Sequence, residues 1–209
     1  KGSPFEQFFQ QFMQQQGKKN PMRRKATALG SGFVIDPSGY IVTNNHVIES
    51  ATQIQVTTND GTDYPAKLIG ADSKTDLALL KIEPKKPLAA VAFGDSDKAR
   101  VGDWVLAVGN PFGLGGTATA GIVSAYGRDI NDQWVDYIQI DAPINRGNSG
   151  GPTFDIYGRV IGVNTAIFSP SGGSVGIGFA IPADVADNVT KQLISSGKIQ
   201  RGYIGATIQ

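Results

Sequence analysis

The chain has 209 residues, 40% of them hydrophobic, and its charge is nearly balanced, with 19 basic against 18 acidic side chains. That balance argues against a nucleic-acid or membrane-surface partner, and the lack of an apolar run of about 18 residues argues against an integral membrane segment. Cysteine is absent and His46 is the single histidine. This excludes disulfides, thiol nucleophiles and zinc–thiolate sites, and a metal site built on carboxylates alone would be unusual, so no metal or cofactor is implied.

The length suits one large domain or two small ones. The 27 glycines and 11 prolines punctuate the chain densely, a pattern of many short strands rather than long helices. No charged-then-apolar leader opens the chain, so a secretion signal is expected to have been removed already.

Residues 1–25 stand apart. Phe5, Phe8, Phe9, Phe12 and Met13 recur at helical spacing among glutamines, and Lys18, Lys19, Arg23, Arg24 and Lys25 follow. Two readings fit: a short amphipathic helix leading into a solvated basic loop, or an aromatic stripe that docks on a partner subunit. Large apolar side chains on a polar segment favour a covering surface.

From Ala28 the pattern turns strand-like. Gly32-Phe33-Val34-Ile35 and Tyr40-Ile41-Val42-Thr43 flank Asp36-Pro37-Ser38-Gly39, which reads as a hairpin. Further strands are expected over 53–57, 64–70 and 77–82, with a turn at Asn59-Asp60-Gly61. Pro84-Lys85-Lys86-Pro87 breaks the pattern. Strands are then expected over 104–109, 117–126, 137–140, 152–154, 159–164 and 177–181. Asp155-Ile156-Tyr157-Gly158 echoes the first hairpin turn, either as a trace of two similar subdomains or as convergent turn chemistry. One helix is expected over 183–196, opened by Pro182, closed by Gly197, and apolar at Val185, Val189 and Leu193. The glycine-rich pieces at 113–116 and 172–178 lack the G-K-[ST] ending and strand–helix setting of phosphate loops.

Gly147-Asn148-Ser149-Gly150-Gly151 matches the nucleophile elbow G-x-S-x-G, but that plan needs the order Ser, acid, His. The single histidine lies upstream, so the order His, Asp, Ser remains. A serine hydroxyl becomes a useful nucleophile when a neighbouring base takes its proton, and His46 is the one imidazole available. It follows an apolar strand, in Thr43-Asn44-Asn45-His46-Val47, where a barrel rim would present it. Among acids, Asp76 directly precedes Leu77-Ala78-Leu79-Leu80 and is expected to be drawn inside, where a carboxylate needs a partner. Asp72 and Asp63 are rivals in more polar surroundings.

Together with Leu29-Gly30-Ser31-Gly32-Phe33, Thr75-Asp76-Leu77-Ala78-Leu79, Gly109-Asn110-Pro111-Phe112-Gly113, Asn145-Arg146-Gly147 and Gly178-Phe179-Ala180-Ile181-Pro182, these stretches make the chain resemble the protease domain of the HtrA/Deg family of chymotrypsin-like serine proteases. The resemblance covers residues 28–208. It implies an all-β fold of two perpendicular β-barrels with a C-terminal helix: a long loop at 1–25, a first barrel at 26–92 lacking its N-terminal strand, a second barrel at 93–182, and a helix and junction at 183–209 toward an absent PDZ module. His46, Asp76 and Ser149 would be the catalytic triad, and the backbone N–H groups of Gly147 and Ser149 the oxyanion hole, where glycine's freedom in φ suits an amide turned toward the oxyanion.

The resemblance further implies that Ile144 and Ile167 line a specificity pocket and that Asn164, Thr165 and Ala166 pair with an extended substrate by β-augmentation. Trypsin-like members with a preference for Lys or Arg carry an Asp where this chain has Pro143. Cleavage after small or branched aliphatic residues is therefore expected. Arg128 opens a loop, 128–136, that resembles the family's sensor loop. Homotrimers, larger cages and a periplasmic location are implied as well. The functional expectation is an ATP-independent endopeptidase for unfolded or misfolded proteins. A chaperone or binding module with an idle triad is the alternative, and an esterase a more remote one.

Overall fold

The computed structural model describes residues 29–110, 116–128, 130, 134–145, 147–169 and 173–202. The aromatic stripe and basic run of the first 25 residues, Arg146 and the junction at 203–209 lie outside the described residues, as do parts of the two glycine-rich pieces and of the 128–136 loop.

The strands β1 (Phe33–Asp36), β2 (Tyr40–Asn44), β3 (Ile54–Thr57), β4 (Asp63–Asp72) and β5 (Leu77–Lys81) form one antiparallel sheet in the order β1-β2-β5-β4-β3. A one-turn helix, α1 (Asn45–Ile48), follows β2. The strands β6 (Trp104–Gly109), β7 (Thr117–Arg128), β8 (Tyr137–Ile140), β9 (Pro152–Phe154), β10 (Val160–Ile167) and β11 (Gly178–Pro182) close into a barrel in the order β10-β11-β8-β7-β6-β9. The expected all-β class and C-terminal helix are present. The first half is an open half-barrel rather than a closed one, because among the described residues no strand joins β1 to β3.

Local chemistry explains the joints. In the first hairpin, Asp36 Oδ1 accepts the Ser38 N–H at 2.8 Å and Gly39 takes φ +103°, the backbone that glycine adopts without a Cβ clash. The echo at Asp155 uses the same device: its carboxylate accepts the Tyr157 N–H at 2.9 Å. Helix α2 (Ala183–Ser196) starts at Pro182 and ends at Gly197, whose φ of +69° closes it with an N–H bond to the Leu193 carbonyl at 2.9 Å.

Three apolar clusters hold the described chain together. One lies inside the barrel, with Val105, Val123, Ile138, Ile140 and Ile161 among its buried members. A second belongs to the first sheet and has Ile41, Leu80 and Ile82 as its buried members. The largest forms the seam, where Phe33, Val42, Leu77 and Leu79 meet Val160, Val163, Phe179 and Ile181, and where α2 adds Ala186, Val189 and Leu193. Helix α2 thus latches the halves together. Its end rests on Gly70 of β4, where an added Cβ would stand 2.8 Å from Leu193 Cδ2. No helix among the described residues is long and apolar enough to cross a membrane.

Candidate active site

His46 sits in α1, immediately after β2. Because β2 pairs with β5 in the register Asn44↔Leu77, the end of β2 is brought beside Asp76, the residue that enters β5. The Asp76 carboxylate accepts three hydrogen bonds or contacts: from the His46 main-chain N–H at 2.9 Å, from the Thr165 hydroxyl at 2.8 Å, and with His46 Nδ1 at 2.7 Å. Its carbonyl accepts from Asn44 Nδ2 at 2.9 Å and from the Asn45 N–H at 3.0 Å. Asp76 is 8% exposed and, among the described residues, is the one non-glycine at positive φ, +55°. A left-handed aspartate costs on the order of 1 kcal/mol or more, and this ring of donors offsets that cost.

The rival acids are engaged elsewhere. Asp63 is exposed and accepts from Thr57 at 2.6 Å. Asp72 is buried, accepts from the Thr75 hydroxyl at 2.6 Å and forms a two-pronged ion pair with Arg201. Burial pushes the Asp72 carboxyl up, but Arg201 and Thr75 outweigh it and hold it below the usual carboxylate range. The Arg201 guanidinium also lies over the Trp134 ring at 5.1 Å, and Lys74 Nζ lies over the same ring at 3.8 Å.

Ser149 comes from the second half, in the connection between β8 and β9. Gly147 and Gly150 adopt φ +98° and +86° on either side of it. The loop is pinned to β10, with the Gly150 N–H donating to the Asn164 carbonyl and the Asn164 N–H to the Gly151 carbonyl, both at 2.8 Å. Ser149 is 7% exposed, and its hydroxyl donates a long bond, 3.3 Å, to the Thr165 carbonyl. Thr165 therefore joins the two parts of the site: its main chain touches Ser149 while its side chain touches Asp76. A bulge in the β10–β11 pairing between Asn164 and Ala166 sets it there.

The other expected site residues fall as follows. Asn164 is fully buried and works through its amide, which donates to the Val108 and Pro152 carbonyls and accepts from Thr153 at 2.6 Å. Ala166 belongs to the seam, whereas Ile144 and Ile167, 2% and 3% exposed, pack inside the barrel. Gly178 lies against Ile144, where a Cβ would stand 2.9 Å from its Cγ1. Arg128 is exposed at the end of β7, with Nε donating to Gln139 at 3.0 Å, and is not part of the His46–Asp76 cluster. Sequence reasoning missed the hydroxyl of Thr165, since nothing in a β-strand pattern announces a side chain that reaches a carboxylate 89 residues away.

A carboxylate-bound imidazole and a glycine-flanked serine, both tied to Thr165 through Asp76 and the Ser149 hydroxyl, are the groups that acyl transfer needs. Residues 30–163 match the family model of the trypsin-like peptidase domain. The chain belongs to that family. It is 58% identical over 212 residues to a protein of Bartonella henselae named "Probable periplasmic serine endoprotease DegP-like", covering 99% of this chain and 42% of that one. It is 53% identical over 218 residues to a protein of the same name from Rhizobium meliloti, covering 99% and 43%. The chain thus spans about two fifths of the length of these relatives. Among solved structures, the HtrA-type protease AlgW with decapeptide superposes with a TM-score of 0.83 at 50% identity, covering 87% of this chain and 56% of that one. The same protease with tripeptide gives 0.80 at 51% identity, covering 83% and 58%. The expected HtrA/Deg resemblance and chymotrypsin-like fold agree with these likenesses.

Proposed function

We propose that the chain is the catalytic domain of a periplasmic serine endopeptidase that degrades unfolded or misfolded protein without ATP. The observation that carries this reading is the hydrogen-bonded line from His46 Nδ1 to Asp76 and through Thr165 to the Ser149 hydroxyl. With Nδ1–H held by the carboxylate, the lone pair of the imidazole resides on Nε2. That nitrogen takes the Ser149 proton as Oγ attacks the scissile carbonyl carbon, and Asp76 stabilises the resulting imidazolium. The developing oxyanion is met by the N–H groups of Gly147 and Ser149. The proton then passes to the leaving amine, and water repeats the sequence on the acyl-enzyme.

The aliphatic residues Ile144 and Ile167 favour Val, Ala, Ile or Leu before the cut, and Asn164, Thr165 and Ala166 pair with an extended chain, a mode that reads backbone shape rather than sequence. The 128–136 segment relays activation, and the working unit is a homotrimer or a larger cage. The names of the relatives support the periplasm.

Ser149→Ala decides the matter. Casein cleavage and fluorophosphonate labelling are expected to fall by at least about 10³-fold. Unchanged cleavage would sink the reading. A wild-type chain that holds unfolded casein yet never takes the label would instead make it a binding module.

A further inference from the structure

We propose that Ser31 is a positioning residue for hydrolysis: its hydroxyl, supplied by the segment that enters the first sheet, fixes the nucleophile loop at Gly147. This inference rests on the roles given above to Ser149 and Gly147.

Ser31 Oγ lies 2.6 Å from the Gly147 carbonyl oxygen and 2.8 Å from the Asn110 amide nitrogen. The amide can only donate and the carbonyl can only accept. The Ser31 proton is therefore committed to Gly147, and the hydroxyl has one orientation. The main chain of the same residue holds the far side of Ser149, with the Ser31 N–H donating to the Ser149 carbonyl at 2.8 Å. The Ser31 carbonyl accepts from Thr43 Oγ1 of β2 at 2.7 Å, a contact at the same junction that involves neither the Ser31 hydroxyl nor its N–H.

The clamp acts where local sterics are weakest. Gly147 stands at φ +98°, and a glycine there has no Cβ to hold one backbone setting against its alternatives. Oxyanion donors work only if they are aimed before the charge develops. Fixing the Gly147 carbonyl and the Ser149 carbonyl from one residue restrains the Gly147–Asn148 and Ser149–Gly150 peptides, which bracket the Asn148–Ser149 peptide and with it the direction of the Ser149 N–H. The contact is also too tight to slide: at Gly150 an added Cβ would stand 2.3 Å from the Ser31 carbonyl oxygen and 2.4 Å from Thr43 Oγ1.

The test compares Ser31→Ala with Thr43→Val. Both delete one hydroxyl at the same junction, but only the first releases Gly147. Kinetics use a peptide with Val before the scissile bond. Inhibition is measured with a peptidyl aldehyde, which forms an oxyanion, and with the matching peptide amide, which does not. For Ser31→Ala, kcat is expected to fall about tenfold or more with KM changed less than about twofold, and the aldehyde to weaken by the same factor while the amide does not. For Thr43→Val, kcat is expected to stay within about threefold at a comparable loss of Tm.

Equal kcat in Ser31→Ala and wild type overturns the inference, as do losses in both variants that simply follow Tm. Should Ser31→Ala fail to fold, Ser31→Cys takes its place. Its thiol fills similar space but donates weakly, so the same loss of kcat supports the inference and full activity overturns it. A wild-type chain that takes no fluorophosphonate label overturns the reading of Ser149 and this inference together, whereas an active wild type beside a fully active Ser31→Ala overturns this one alone.

Discussion

The two sheets solve the same problem differently. The barrel formed by β6–β11 closes on itself, and β10 is buried along its whole length. The sheet formed by β1–β5 stays open, and its outer strand β3 alternates between half-buried and exposed positions. Among the described residues the barrel has nine buried side chains in its own interior, the first sheet three. Phe33, Val42, Leu77 and Leu79 of the first sheet are buried in the seam instead, so that sheet draws much of its stability from the barrel and from α2. The difference assigns two kinds of work: the barrel is a rigid platform for Ser149, and the first sheet delivers His46 and Asp76 to it.

Three changes test this division. The largest expected effect is that of Asp76→Asn, which keeps the shape but offers Nδ1 the wrong partner. A fall in kcat of about 10⁴-fold is expected, with Tm moving by only a few degrees. A drop of less than tenfold would mean that the first sheet does not deliver a polarised imidazole.

Next is Thr165→Val, which cuts the side-chain bond from barrel to carboxylate while keeping the volume. Here kcat is expected to fall about tenfold, because one of the three donors to Asp76 is lost and a buried acceptor is left short. An unchanged rate would show that the first sheet holds Asp76 without help.

The smallest effect concerns Arg201→Ala. The folded Asp72 carboxyl is held below its ordinary value, so the stability it contributes is present above the unfolded value of about 4 and is lost as pH falls through the folded one. At pH 6 the variant is expected to melt about 3–5 °C below wild type, and the gap should close as the pH is taken below about 4. Hydrogen exchange should quicken in β4 and not in β10; equal acceleration in both would erase the distinction between the halves.

Much of this arrangement was legible in the residues, for identifiable reasons. The helix at 183–196 matched because proline before it and glycine after it act locally. The hairpin turns matched because Asp and Gly set their geometry within four residues. The pairing of His46 with Asp76 was foreseeable because one histidine leaves few choices and because Asp76 adjoins a core strand. By contrast, α1 is a single turn, too short for a periodic signal, so His46 reads as a strand end. Strand β10 runs on to Ile167, beyond the expected 164, because burial on both faces hides its alternation. The double use of Thr165, and of Ser31, depends on which distant segments the two sheets bring together.

The seam has a consequence for how such a chain comes into being. His46 and Asp76 belong to the first sheet and Ser149 to the barrel, so neither half alone contains both the imidazole and the serine. The three side chains are therefore brought into one site only where the seam is closed and α2 spans it. On the proposed reading, a half-formed chain holds the parts of a protease without an assembled one, and spares its neighbours.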